Sequence, residues 1–172
     1  TQPFLKALVN RLDSNPRIGC VSPKIALAEK ERLQYAGSTP MSHITLRNTS
    51  IGYDQLDQGQ FEEAHETSFA HGAAMAVKAI AYKNSENAEF YFLYYEELDW
   101  CTQIQKTGSS IWFEPKAIIY HKESASVGIE SPLRIYYTPE IVSYLPSAFY
   151  QKKEFVYVHI YIKRHLLFAK RF

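Results

Sequence analysis

Phe90-Tyr-Phe-Leu-Tyr-Tyr-Glu-Glu-Leu-Asp-Trp-Cys-Thr-Gln-Ile-Gln-Lys-Thr-Gly108, followed by Trp112-Phe-Glu-Pro-Lys-Ala-Ile-Ile-Tyr-His121, is the stretch on which the fold turns. An aromatic run leads into Glu96, Glu97 and Asp99. From there Leu98, Cys101 and Ile104 recur at helical spacing, which predicts a helix over 96–106 with those three on its inner side. Acids in a first turn complement the helix macrodipole, and Gly108 suits a glycine exit. Residues 111–114 and 117–121 then read as strands around Pro115, with His121 at the far end. Paired carboxylates and a histidine at element termini suit general-base and metal chemistry. The same acids also serve a helix N-terminus with no chemistry at all.

Working outward, Thr1 to Asn15 reads as a helix with Phe4, Leu5, Leu8, Val9 and Leu12 on one stripe, broken by Ser14-Asn-Pro16. Ile18-Gly-Cys-Val-Ser-Pro-Lys-Ile25 reads as a short strand. Helix followed by strand, twice over, defines an α/β fold. Residues 32–38 and 43–51 look like hairpin or loop strands. Residues 52–60, with Asp54, Asp57 and Gly59, form a polar loop. Thr67 to Ile80 reads as a buried strand running into a turn or helix, and 84–87 as a loop. The domain is expected to span 1–128. Beyond it, 129–172 reads as a helical tail, although Phe155 to Ile162 also has the composition of a strand.

At 172 residues the chain is one domain with an appendage. A net charge of +1 gives no steering toward nucleic acid. Two cysteines without CxxC spacing fit buried thiols in a reducing compartment. No signal peptide or membrane-length apolar run is visible. Thirteen tyrosines and ten phenylalanines serve packing or a sugar-facing cleft. Residues 150–172 carry six Lys or Arg against one acid, among aromatics. That mixture suits an anionic membrane surface, or a packed helix with a basic outer face.

Four segments, in order, resemble the family 2 glycosyltransferases, the inverting enzymes of the GT-A fold that include rhamnosyl- and galactofuranosyl-transferases. They are Asn15-Pro16-Arg-Ile-Gly-Cys-Val-Ser-Pro-Lys24, His71-Gly-Ala-Ala-Met-Ala-Val-Lys78, Glu96-Glu97-Leu98-Asp99, and His121-Lys-Glu-Ser124-Ala-Ser126. The resemblance covers residues 1–128 and implies the C-terminal, acceptor-side part of that fold. It implies transfer from a nucleotide-diphospho-sugar to a saccharide or lipid-linked acceptor, in cell-wall or polysaccharide synthesis. Glu97 is implied as the general base, with Glu96 and Asp99 orienting acceptor or backbone. His71, Gly72, Ser124 and Ser126 are implied to contact substrate. His121 is implied to complete a Mg²⁺ or Mn²⁺ site with an Asp-x-Asp segment.

Three departures stand out. The family's Glu-Asp pair is Glu96-Glu97 here, so the second carboxylate reaches one methylene further. The Asp-x-Asp and the nucleotide-binding half would precede Thr1, which predicts that residues 1–172 alone turn over no sugar. The tail also lacks the Arg-Asn that many relatives carry after the counterpart of Tyr136-Tyr137. Expected partners are donor and acceptor, a membrane surface through 150–172, and a second copy of the chain. The expected location is the cytoplasm, peripheral at the inner face of the plasma membrane. The alternative from another class is a non-enzymatic interaction module with a structural acidic helix and a partner-binding basic tail.

Overall fold

The computed structural model describes residues 3–28, 31–42, 47–85 and 96–122. The aromatic lead-in at 90–95, Ser124, Ser126 and the tail at 129–172 lie outside the described residues, as do residues 43–46 of the hairpin or loop strand expected at 43–51.

Helix α1 (Pro3–Ser14) opens on proline, whose missing N–H costs nothing in a first turn. Strand β1 (Ile18–Leu27) follows, then β2 (Leu33–Tyr35), β3 (His65–Glu66), β4 (Ala76–Val77), α2 (Ala79–Asn84), α3 (Glu96–Lys106) and β5 (Ser110–His121). The sheet runs β2-β1-β5-β3, with β4 also on β1. β1 and β5 are parallel, from Ile18 opposite Ser110 to Leu27 opposite His121. Since β5 takes the whole of one edge of β1, β4 and β2 share the other. β4 pairs at Cys20 and Val21, and β2 at Ile25 and Ala26, both antiparallel. The result is a mixed α/β sheet, consistent with the expected fold class.

β1 reads as an almost unbroken apolar run because it is covered on both faces, as a central parallel strand requires. On one face α1 packs Leu8 and Leu12 against Ile18, Val21 and Ala117. On the other, α3 packs Leu98, Cys101 and Ile104 against Cys20, Ala70 and Ile111. A third cluster, Ile25, Leu33, Tyr35 and Phe113, joins β2 to β5. These contacts match the inner face expected for α3. Its C-terminus also ends as expected, with Gly108 at φ +85°.

Three expectations need correction. The inward stripe of α1 is rotated: Leu5 and Val9 are exposed, while Ala7 and Arg11 turn toward the sheet. Arg11 lies 5.4 Å from the Trp112 ring and donates to buried Glu114 at 2.8 Å. A guanidinium stacked on indole and paired with a carboxylate is better placed inside than a valine forced there. The two strands around Pro115 are one 12-residue strand. Pro115 cannot donate to a ladder, and the register jumps there from Pro23–Glu114 to Lys24–Ile118, so the extra residues bulge out. Finally, the buried strand expected at the start of 67–80 is an irregular buried segment; the turn and helix expected after it are present, as a tight turn, the two-residue β4 and the start of α2.

A buried lysine ties down the 52–62 loop. Lys24, 1% exposed, pairs with Asp57 at 2.9 Å and with Glu62. Burial alone would lower the Lys24 pKa, but the two carboxylates outweigh it and the group is raised. Burial pushes Asp57 up, yet Lys24 and the Gly59 N–H hold it below its usual value.

Candidate functional site

The site is built around residues 67–74, which cross the top of the core as a non-repetitive strap. Side chains from three elements anchor the strap's backbone. Tyr35 donates to the Phe69 carbonyl at 2.7 Å, and Ser38 Oγ accepts from the Phe69 N–H at 2.9 Å. The Ala70 N–H lies 3.3 Å from Cys101 Sγ. Ser22, in the middle of β1, accepts from the His71 N–H at 3.2 Å and donates to the Ala74 carbonyl at 3.0 Å. The chain reverses between those two points, with the Ala74 N–H on the His71 carbonyl at 3.1 Å. A buried loop must satisfy its backbone somewhere, and here the core's few polar side chains do it.

The turn holds His71 and Gly72 at its tip. Gly72 is exposed, and a Cβ there would stand 3.5 Å from the Glu97 carboxyl carbon and 3.8 Å from its Cβ. Glu97 therefore lies along the bare face of Gly72. The first turn of α3 places it there, because Leu98 and Cys101 behind it are locked into the core. Among the described residues no other side chain hydrogen-bonds the Glu97 carboxyl. Glu97 itself is half-buried. Burial raises its pKa to about 7, the charge of Glu96 adds to this, and its own backbone N–H opposes it.

His121 ends β5, beside Leu27 at the carboxyl ends of the parallel pair. Open α/β sheets present ligand sites at such strand ends. Its Nδ1 is 2.7 Å from Oε1 of buried Gln34 on β2. Its ring lies 6.2 Å from that of His71, edge to face, and Tyr35 lies 5.6 Å from His71 on another side. His71 Nδ1 accepts from the Ala73 N–H at 3.0 Å. Burial, and then the nearby His121, push the His71 pKa down to about 4, so this ring is neutral at pH 7. The hydrogen bond accepted from Ala73 acts in the same direction, since it occupies the lone pair that a second proton would take.

Of the residues singled out from sequence, His71, Gly72, Glu97 and His121 thus come together. Glu96 points outward and acts on Glu97 through its charge. Asp99 is buried and accepts from Gln103 of its own helix at 2.9 Å. Ser22, Gln34 and Tyr35 were not anticipated. The visible signal was a serine and a glutamine inside strand segments that are mostly apolar. A separate shallow groove of about 390 Å³ lies between α1 and β5 beside Lys6, Arg11, Glu114 and Lys116, and does not include these residues.

No three His, Cys, Asp or Glu residues among those described converge on one point. His71 has its Nδ1 engaged, which leaves His121 as the nearest open imidazole donor. Hard divalent ions favour several oxygen ligands. The described residues by themselves do not fit Mg²⁺ or Mn²⁺, and the chemistry available to them is that of their own side chains. No helix among them is long and apolar enough to cross a membrane. No family model and no curated protein matches the chain.

Proposed function

We propose that this chain carries the acceptor-side part of an inverting glycosyltransferase of the GT-A type, with Glu97 as general base. The substrates are a nucleotide-diphospho-sugar and a hydroxyl of a saccharide or lipid-linked acceptor. The observation that carries the reading is the Glu97 carboxyl: half-buried against the bare face of Gly72, unpaired with any cation among the described residues, and raised to about 7. An acid that served only the helix N-terminus would be lowered, because the dipole favours its charge. A general base works best when its pKa lies near the operating pH. Further support comes from His71, Gly72 and His121, which gather around the same strap.

In the proposed reaction the acceptor oxygen attacks the anomeric carbon from the side opposite the diphosphate. Glu97 takes the hydroxyl proton as the new carbon–oxygen bond forms, and the bond to the diphosphate breaks with its electron pair leaving on oxygen. One displacement inverts the anomeric centre, and no covalent enzyme intermediate forms. His71, neutral and next in the chain to the Gly72 that Glu97 lies along, gives the base no hydrogen bond among the described residues. The resemblance gives His121 to a divalent ion whose oxygen ligands would come from outside the described residues. The proposed setting is polysaccharide or cell-wall synthesis at the cytoplasmic face of the plasma membrane.

The test is the stereochemistry of transfer by the protein carrying this segment. Proton NMR of the first product, read before any mutarotation, is expected to show the anomeric configuration opposite to that of the donor. Retention, or a glycosyl adduct on Glu97 in intact-protein mass spectrometry, would overturn the proposal.

A further inference from the structure

On the face of the sheet opposite α3, an open groove of about 390 Å³ runs between α1 and β5. Lys6, Ala7, Asn10 and Arg11 line it from α1, where residues three and four apart are neighbours on one helix face. Glu114 and Lys116 line it from β5. The acid in this set is already engaged. The Glu114 side chain is 4% exposed, and it accepts from Arg11 Nε at 2.8 Å and from the Lys116 N–H at 3.1 Å. Lys6, Arg11 and Lys116 against Glu114 leave the groove with two net positive charges, and both lysines are exposed. Arg11 is held on two sides, by the Glu114 carboxylate at Nε and by the Trp112 ring 5.4 Å from its guanidinium carbon. A guanidinium carries five N–H donors in a rigid planar fork. The two contacts fix the plane of that fork, and the Arg11 side chain, 26% exposed, forms part of the groove wall.

We propose that this groove binds a phosphomonoester, free in solution or carried as a lipid headgroup. A phosphomonoester is close to a dianion at neutral pH and matches the two net charges, with three terminal oxygens to meet three cations. Arg11 supplies the planar donor fork that phosphate oxygens accept from, and Lys6 and Lys116 supply point charges. Asn10 adds a neutral amide donor to the same wall. A carboxylate brings one charge and two oxygens, which leaves part of this set unanswered. Ala7 matters by its size, because a larger side chain there would fill the groove. The volume falls within the roughly 300–1,000 Å³ of small-molecule sites, so there is room for the group that bears the phosphate. Exposed lysines are screened by salt, so binding is modest and weakens with ionic strength. The groove and Glu97 lie on opposite faces of the sheet, and the inference stands or falls independently of the glycosyl-transfer reading.

The experiment is a proton–nitrogen NMR titration of the chain with inorganic phosphate and with glycerol 3-phosphate, at ionic strength held constant with sodium chloride. Saturable shifts are expected at the Arg11 Nε–H and at the backbone amides of Lys6, Asn10 and Lys116, with half-saturation near or below about a millimolar. Lys6→Gln combined with Lys116→Gln should weaken phosphate about three- to tenfold. Ala7→Leu, which fills the groove and changes no charge, should weaken glycerol 3-phosphate. The dispersed spectrum of each variant shows that it is folded. Vesicles then separate the two sources of the phosphate. Phosphatidic acid presents a monoester and phosphatidylglycerol a diester, each mixed with phosphatidylcholine to the same total charge, so that the basic residues of the tail meet both alike. Preference for phosphatidic acid, lost in the two-lysine variant, assigns the groove to a headgroup. Phosphate shifts without that preference assign it to a soluble ester. Shifts reproduced by sodium chloride alone would overturn the proposal. So would phosphate affinity unchanged in the two-lysine variant, or glycerol 3-phosphate bound equally by Ala7→Leu.

Discussion

Replacing Glu97 with glutamine should stabilise the fold, and only above acid pH. The unfolded carboxyl titrates near 4.5 and the folded one near 7. Below pH 4 the group is neutral in both states and the replacement changes little. Between 4.5 and 7 the unfolded chain gives up its proton while the folded chain keeps it, so stability falls as pH rises. Above 7 both states are charged and the folded state bears the full desolvation. A shift of this size corresponds to at most about 3 kcal/mol, from about 1.4 kcal/mol per pKa unit. The helix N-terminus offsets roughly 0.3–1 kcal/mol of that by favouring the charge. Urea unfolding of wild type and Glu97→Gln at pH 4 and pH 8 should therefore show no difference at pH 4. At pH 8 the variant should be more stable by about 1–3 kcal/mol. An ordinary dipole-serving glutamate gives the opposite sign, with the variant less stable at pH 8. That outcome, or a difference independent of pH, would refute the account of Glu97 as a desolvated base.

The buried lysine should show an asymmetry in denaturant unfolding. Asp57→Asn with Glu62→Gln leaves an ammonium uncompensated in the core and should cost about 3–5 kcal/mol, while Lys24→Met leaves two acids that solvent can reach and should cost less. Equal losses would count against the pairing. Gly19→Ala should destabilise by roughly 1–3 kcal/mol, because its Cβ would stand 2.7 Å from Ser109 Cβ and 3.0 Å from Ile104 Cγ2. An unchanged melting temperature would mean that β1 and α3 sit further apart than described. The tail should bind anionic vesicles through Lys152, Lys153, Lys163, Arg164, Lys170 and Arg171, at about 1 kcal/mol each and weakened by salt. Co-sedimentation indifferent to salt, or to reversing those charges, would exclude a membrane role.

The parts of this fold that were legible in the sequence are those where one local rule acts alone. Leu98, Cys101 and Ile104 fall at helical spacing between an acidic turn and a glycine, and α3 occupies that span with that inner face. What escaped the sequence depends on partners far along the chain. Arg11 displaces Val9 from the inward stripe of α1 because Trp112 and Glu114, a hundred residues away, offer it a ring and a charge. The 67–74 strap looked like a strand because its residues are small and apolar. Its real backbone partners are the side chains of Ser22, Tyr35 and Ser38, which no periodicity announces. The site was half visible. Glu97 and His121 sit at element ends in the sequence, whereas Gln34 gains meaning only when β2 returns beside β1 and brings it to His121.

The most direct test of Glu97 as the base is steady-state transfer by the protein carrying this segment, comparing wild type with Glu97→Gln, Glu96→Gln and Asp99→Asn. Nucleotide-sugar affinity is measured alongside by calorimetry. The account predicts that Glu97→Gln lowers turnover about 10²–10⁴-fold, the usual cost of losing a general base, with donor affinity unchanged. Glu96→Gln should cost less. Asp99→Asn should change turnover little, since Gln103 already occupies its carboxylate. Turnover within a few-fold of wild type in Glu97→Gln, with collapse in Glu96→Gln or Asp99→Asn, would contradict the assignment.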